Sequence, residues 1–275
     1  MRTKRAFPEL DLGFLGQRIE ESLAGISDAL TYTDKPLVIQ FSGGKDSMVM
    51  LDLTRSVTDN YVCSYMKSGI DLPGSVEFAI SSARSLGKEL LISEPKEHKG
   101  DFYERLAQFR KFPTVRGMWC QRDLKVRPQQ KMLNRMFGRG NFMKLVGVRR
   151  SESARRMSIY KRGVFIRPDN QVGGAYNYYP ILHWTNDDIV NYLEMKELPI
   201  SGLYKKYSVS GCYWCPFYQP SIYEKILVGE PGLLDRVIDW EKELGPSVGN
   251  YIYLGDIKDR LSQCKVGESV NQGGE

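Results

Sequence analysis

Three stretches of the chain carry residue types that could do chemistry. The first is Ser42-Gly43-Gly44-Lys45-Asp46-Ser47, which follows a short apolar run, Pro36 to Phe41, and opens the amphipathic segment Met48 to Val57. Adjacent glycines let backbone N–H groups converge without Cβ obstruction, while hydroxyls, Lys45 and a helix N-terminus add donors and positive potential. An oligophosphate fits such a loop; a glycine turn that merely joins strand to helix is the plainer alternative. The Walker spacing is absent, because these glycines are adjacent and Asp46 separates Lys45 from Ser47. The second stretch is Cys212-Tyr213-Trp214-Cys215, a C-x-x-C pair, with Cys120 far earlier in the chain. Thiolates two residues apart across a tight turn can bind one metal centre, and Cys120 joins them only if the fold brings it back. The third is Gly147-Val148-Arg149-Arg150-Ser151-Glu152-Ser153-Ala154-Arg155-Arg156. Arg149 and Arg155 could clamp phosphate groups, with Glu152 orienting one of them through an ion pair. Otherwise all three lie in a surface charge ladder, and Arg150 and Arg156 are the weaker candidates.

The elements that must position these residues follow from periodicity. Leu12, Leu15, Ile19, Leu23, Ile26 and Leu30 recur at three- and four-residue steps and predict an amphipathic helix packed against the nucleotide domain. A strand over Pro36 to Phe41 enters the glycine loop, and its helix leaves it. Tyr61 to Lys67 reads as a second strand, Pro73 to Leu86 as a helix stopped by Gly87, and Glu89 to Ile92 as a third strand. Cys63 is a packed thiol within the second strand. Gln121 to Phe137 reads as a helix started or interrupted by Pro128, and Phe142 to Val148 as a further strand of the parallel sheet. Strands alternating with helices predict a parallel sheet with helices on both faces, binding its ligand at the carboxyl ends of the strands. The arginines after Val148 therefore point to the same rim as the glycine loop. Thr185 caps a helix with acids in its first turn, Ser201 to Lys206 is a connector, and helices follow over Ser221 to Val228 and Pro231 to Leu244.

Composition bounds the class. The 275 residues are 41% hydrophobic, which suits a globular core, and no apolar run reaches the length of a membrane span. The start, MRTKRAFPELDL, lacks the apolar stretch of a signal peptide, so a cytoplasmic protein is expected, with no membrane partner. Five cysteines are odd in number and read as thiols or metal ligands rather than a disulfide framework. Two histidines exclude a histidine-rich metal site, and His183 beside Trp184 reads as a packed residue. The net charge of +6 is uneven: Arg105 to Arg162 holds 17 Lys plus Arg against Asp123 and Glu152, or +15, leaving 6 − 15 = −9 elsewhere. Such a window favours a polyanion surface over a merely solvated face.

SGGKDS resembles the pyrophosphate loop of the ATP pyrophosphatase superfamily. That resemblance implies an adenine-nucleotide α-hydrolase-like, Rossmann-like α/β fold that binds ATP with magnesium through Ser42, Gly43, Gly44, Lys45, Asp46 and Ser47. Trp119-Cys120 with Lys125 and Pro128, GVRRSESARR, Pro180 to Thr185 with Asp187-Asp188-Ile189, and GCYWCPF follow in the order seen in the phosphoadenosine phosphosulfate reductase family. Within it, the chain looks most like the ATP pyrophosphatase component of DNA phosphorothioation systems. This resemblance implies an N-terminal helical segment over 1–34, an ATP-binding α/β domain over 35–180, a C-terminal helical region bearing the C-x-x-C over 181–265, and a disordered tail over 266–275. It implies catalysis by Lys45, Asp46, Arg149, Glu152 and Arg155. Cys120, Cys212 and Cys215 would hold a [4Fe-4S] cluster, with a zinc site completed by Cys264 or His183, or plain thiols, as alternatives. The partners implied are DNA in preference to RNA, a cysteine desulfurase as sulfur donor, and other subunits of a modification system. Sulfonucleotide reductases carry a nucleophilic cysteine in a Glu-Cys-Gly-Leu-His context, whereas Cys264 stands in Ser262-Gln263-Cys264-Lys265-Val266. Sulfonucleotide reduction, tRNA thiolation and a nucleotide-sensing DNA-binding subunit are the alternative functions.

Overall fold

The structure, a computed structural model, describes residues 12–160, 165–169, 174–249 and 252–271. In chain order the described elements begin with α1 (Leu12–Tyr32), β1 (Leu37–Gln40), α2 (Lys45–Arg55), β2 (Tyr61–Met66), α3 (Ser75–Ser85), β3 (Leu90–Ser93) and α4 (Phe102–Phe109). A π-helical turn, Gln121–Val126, runs into α5 (Arg127–Phe137), followed by β4 (Met143–Leu145), α6 (Ala154–Ile159), β5 (Ile166–Pro168) and β6 (Tyr176–Tyr178). The rest is helical: α7 (Asn186–Met195), α8 (Gly202–Tyr207), α9 (Pro220–Gly229), α10 (Asp235–Leu244) and α11 (Leu254–Asn271).

Six strands form one sheet in the order β3-β2-β1-β4-β6-β5. β1 lies between β2 and β4, both parallel to it, with Leu37 opposite Tyr61 on one side and Met143 on the other. A strand so enclosed must be apolar on both faces, and Leu37, Val38 and Ile39 are all buried. β6 continues the parallel set beside β4, whereas β5 pairs with β6 antiparallel, so the expected parallel sheet ends in one reversed strand. The stretch from Pro168 to Tyr176 is too short for the crossover a parallel pair needs. The sheet is thus a mixed, adenine-nucleotide α-hydrolase-like α/β sheet rather than a uniformly parallel one.

The chain groups into two compact units. One comprises Met1–Tyr65, Ala79–Leu91 and Met132–Ile200; the other comprises Met66–Phe78, Ile92–Lys131 and Ser201–Glu275. The division is not a set of cuts along the chain: 66–78 and 92–131, expected within the α/β domain, group with the C-terminal helices. In the first unit α1 packs as expected, burying Ile26 and Ala29, and Ser22 Oγ donates to the Pro180 carbonyl while accepting from Trp184 Nε1. α2 is buried from Ser47 through Thr54. Its Asp52 takes hydrogen bonds from Arg55 Nε at 2.7 Å and from the Tyr192 hydroxyl of α7 at 2.8 Å. In the second unit aromatic rings make the core, with Phe102 stacked on Trp119 at 5.5 Å and 5.6 Å from Trp214.

Some elements differ from expectation. Ser201 to Lys206 is not a connector: Ser201 Oγ accepts from Leu203 N and starts α8. α4 is set by a capping box, in which Asp101 accepts from Tyr103 N and Glu104 N and Glu104 answers to Asp101 N. Pro128 does not end the helical run: the π-helical turn Gln121–Val126 leads directly into α5, and the change of helix type falls just before the proline, whose missing N–H removes a backbone donor there. α11 runs to Asn271, past the start of the expected tail, and the last four residues lie outside the description. No described helix is long and apolar enough to cross a membrane.

Candidate functional site

The glycine loop lies in the first unit, between β1 and α2. Gly43 has φ +69°, a conformation that favours a residue without Cβ, and it turns the chain back toward the helix. Gly44 is the N-cap and supplies no side-chain cap to the first turn. The loop stiffens itself: Ser47 Oγ donates to the Gly44 carbonyl at 2.8 Å and accepts from Ser42 N at 3.2 Å, while Gly44 N donates to Ser42 Oγ at 3.2 Å. Both hydroxyls, expected as ligand donors, are therefore engaged in holding the loop, and Ser47 is buried. The anion-facing potential falls to the helix N-terminus and Lys45.

The arm after β4 reaches the loop. A Cβ placed on Gly147 would sit 3.5 Å from Asp46 backbone carbon, so the arm passes in van der Waals contact with the loop. Arg149, only 7% exposed, donates from Nε to Asp46 Oδ1 at 2.5 Å, and its Nη1 reaches Ser151 Oγ. Ser151 Oγ in turn donates to the Trp184 carbonyl, and Arg150 N donates to the Leu182 carbonyl. Asp46 thus positions Arg149 through the oxygen it offers. Glu152 Oε2 accepts from Arg149 N at 3.1 Å and pairs with Arg156, one helical turn on. Arg155, expected as the second clamp, is exposed, and its neighbour Arg156 lies within electrostatic reach of Asp46 and Arg149. Burial lowers the Arg156 pKa, and Tyr160 and Asp46 oppose that shift. Glu152 precedes α6 across the extended N-cap Ser153, and its carboxylate reaches Arg156 while Arg155 stays exposed.

The cysteines lie together in the second unit. A short antiparallel bridge joins Asp71 to Cys212, with Leu72 N donating to the Gly211 carbonyl and Tyr213 N to the Ile70 carbonyl. Cys212 Sγ donates to Ser68 Oγ at 3.4 Å. Tyrosines hold the turn: Tyr218 donates its hydroxyl to the Cys212 carbonyl at 2.9 Å, and Tyr223 donates to the Cys215 carbonyl at 2.6 Å while accepting from Cys215 N at 3.2 Å. Trp214 Nε1 reaches Ser247 Oγ, which donates to Glu241. None of these anchors was signalled by spacing, since hydroxyl-to-carbonyl contacts leave no pattern in a sequence.

Cys120 comes within electrostatic reach of both Cys212 and Cys215. Burial pushes its thiol up to about 11, the two neighbouring cysteines add to that, and burial raises Cys215 as well. Among the described residues, however, no three His, Cys, Asp or Glu side chains stand where they could hold a metal ion. The trio is brought together, with Cys120 and Cys215 raised by burial as free thiols, but in this arrangement the three sulfurs are not placed to hold a [4Fe-4S] cluster or zinc. Of the suggested fourth ligands, the Cys264 side chain lies outside the description, and His183 packs edge-on against Phe165 at 5.1 Å in the first unit. Cys63 is fully buried in β2 with its thiol pushed up to about 12 by burial, as a packed thiol should be.

With this geometry in view, the comparisons with known proteins are consistent. Residues 36–218 match the phosphoadenosine phosphosulfate reductase domain. An adenosine 5'-phosphosulfate reductase of Halalkalibacterium halodurans is 26% identical over 192 residues, covering 67% of this chain and 75% of that protein. An uncharacterised protein of Methanocaldococcus jannaschii is 26% identical over 208 residues, 74% of this chain, and the match spans about half of that relative's length, 47%. The crystal structure of phosphoadenylyl-sulfate reductase from Candida auris superposes with a TM-score of 0.51 at 15% identity, over 75% of this chain and 96% of that one, and shares its fold. A match over this much of the chain, carrying the glycine loop, the arginine arm and all three clustered cysteines, makes the chain a member of the phosphoadenosine phosphosulfate reductase family of enzymes.

Proposed function

We propose that the protein is an ATP pyrophosphatase that adenylates an oxygen of a nucleic acid, a DNA backbone phosphate, so that sulfur can replace it. The observation that carries this reading is the preformed loop, closed on itself by Ser42 and Ser47 and joined to Arg149 through Asp46. ATP enters with its magnesium as substrate. The acceptor oxygen attacks the α-phosphorus, the bond from that phosphorus to the α–β bridging oxygen breaks, and pyrophosphate leaves with both electrons. Lys45 and the first-turn amides of α2 meet the developing charge, while Asp46 and Glu152 hold Arg149 in place against the nucleotide. The terminal sulfur of a persulfide carried by a cysteine desulfurase then attacks the activated phosphorus and expels AMP. A thiol reductant cleaves the resulting sulfur–sulfur bond to leave sulfur on phosphorus and a disulfide as the oxidised product, and other subunits of the modification system present the nucleic acid. The +15 window over residues 105–162 supports a polyanionic acceptor.

The test is pyrophosphate release from ATP by the purified chain, with duplex DNA, with RNA and with neither. Release that depends on DNA and disappears in Lys45→Ala is the expected result. Release with RNA alone moves the acceptor to RNA, and no release under any condition overturns the reading. A second reading, sulfonucleotide reduction, is favoured by the 26% identity to an adenosine 5'-phosphosulfate reductase and opposed by the context of Cys264. Adenylyl sulfate mixed with the protein and a thiol reductant separates the two: sulfite accumulates only in a reductase.

A further inference from the structure

A second basic cluster in the chain is built around one carboxylate. Asp123, in the π-helical turn, is fully buried, and its two oxygens accept from three arginines. Arg122 donates from Nε at 2.8 Å and Nη2 at 2.9 Å, Arg127 from Nη1 at 3.0 Å, and Arg105 from Nη2. Burial would raise the Asp123 pKa, but the hydrogen bonds from Arg122 and Arg105 hold it well below the usual carboxylate range. The carboxylate is saturated and ionised, yet among the described residues Asp123 is the one carboxylate paired with these three guanidinium groups, which leaves an excess of two positive charges.

The guanidinium groups are also held rigid. Arg105, with its side chain 4% exposed, lies 4.4 Å from the Phe109 ring centre and bonds Gln108 through Nη1. Arg122 lies 5.9 Å from the same ring. Arg105 Nε is buried without a partner, as is Nε2 of the nearby His98. Arg122 and Arg127 keep 48% and 40% of their side chains exposed, so outward N–H groups remain within reach of a ligand from solvent. A structural ion pair has no use for this excess, because each further guanidinium adds like-charge repulsion. Rigid planar forks, unbalanced charge and half-open access are what a phosphate oxygen triad requires.

We propose that Arg105, Arg122 and Arg127, held by Asp123, form a phosphate-binding site built from residues outside the nucleotide loop. The phosphate belongs either to a nucleic-acid backbone or to free phosphate and small phosphoesters. The backbone source rests on the nucleic-acid reading above; the capacity to hold phosphate does not.

His98 provides a local reporter. Its pKa is lowered by burial and then by Arg127, and it is one of only two histidines, so its imidazole signals are assignable with a His98→Gln control. Inorganic phosphate added to the Lys45→Ala chain, which disables the loop, should raise the His98 pKa by roughly half a pH unit as an anion settles on the arginines. Arg122→Ala/Arg127→Ala should abolish that response. Arg127→Ala alone, which leaves both Asp123 oxygens engaged by Arg105 and Arg122, should weaken it and guards against misfolding of the double variant. Duplex DNA distinguishes the source: if a backbone phosphate docks here, the double variant binds DNA roughly tenfold more weakly, with the slope of log affinity against log salt shallower by about 1. A phosphate response with unchanged DNA affinity assigns the site to free phosphate or small phosphoesters. No His98 response to either probe, or the same response in the double variant, overturns the proposal. Neither measurement uses ATP turnover, so its failure leaves the pyrophosphatase reading standing, and the converse holds.

Discussion

The glycine loop and the cysteine turn are both tight reversals, and they are held in opposite ways. Residues within the loop hold it: Ser42 and Ser47, five positions apart, close it, and the distant Arg149 is added through Asp46. The cysteine turn has one backbone bond of its own, from Tyr218 N to the Cys215 carbonyl at 3.0 Å, and takes the rest of its support from side chains beyond it. Its carbonyls are claimed by Tyr218 and Tyr223, its edge by the strand bridge at Asp71, and its tryptophan by Ser247. A reversal stiffened from within presents its amides whatever else the chain does, whereas one held from outside takes its geometry from the surrounding core. The first suits a site that must be ready for a charged ligand, and the second suits one whose sulfurs are set by packing.

The sharpest way to break that contrast is Lys45→Ala, which should lower pyrophosphate release about 10²- to 10³-fold, the scale for removing one preorganised electrostatic contact, with the melting temperature unchanged. A full-rate variant removes the loop from the chemistry. Next in size is thiol reactivity. With Cys120 pushed up to about 11, its thiolate fraction near pH 7.5 is about a hundredfold below that of a thiol at 9, so alkylation should be slow and climb until about pH 11. The same shift makes folding stability fall between about pH 9 and 11, because the folded state holds its proton where the unfolded state has lost it. Visible absorption with bound iron and sulfide in anaerobically purified protein would replace this picture of buried thiols with a ligated one.

Arg149→Lys keeps the charge but loses the Nε contact to Asp46, and should cost roughly tenfold in turnover. Alongside it, Arg156→Ala should impair turnover more than Arg155→Ala, and the reverse order would contradict the pairing of Glu152. The smallest effect is structural. Tyr223→Phe removes the hydroxyl that serves both the amide and the carbonyl of Cys215, and should destabilise the protein by about 1–3 kcal/mol, read from denaturant unfolding. Since Tyr223 holds only the cysteine turn, ATP binding by the loop should survive it.

Legibility followed the same division. α1, β1, α2 and the glycine loop were readable because a helix or strand that buries one face writes its period into consecutive residues. α8 and the far end of α11 were missed for want of that signal: Gly202 to Tyr207 carries no clear stripe, and α11 is weakly amphipathic. β5 escaped because three residues hold no period, and its reversal follows from the short connection to β6. Lys45, Asp46, Arg149, Glu152 and Arg155 were named from motifs, while the ion pair of Arg156 with Glu152 is a contact that only the fold shows.

From residue order alone come the glycine loop, the family and the imbalance of charge, because each depends on neighbours in the chain or on composition. Three-dimensional packing alone shows that Asp46 and Arg149 meet, that Cys120 joins Cys212 and Cys215, and that three arginines surround Asp123. Those contacts join residues that the fold alone brings together. Burial raises the thiols of Cys120 and Cys215, whereas the arginines hold Asp123 as a carboxylate against its own burial, since a buried group keeps its charge only where partners replace the water it has lost.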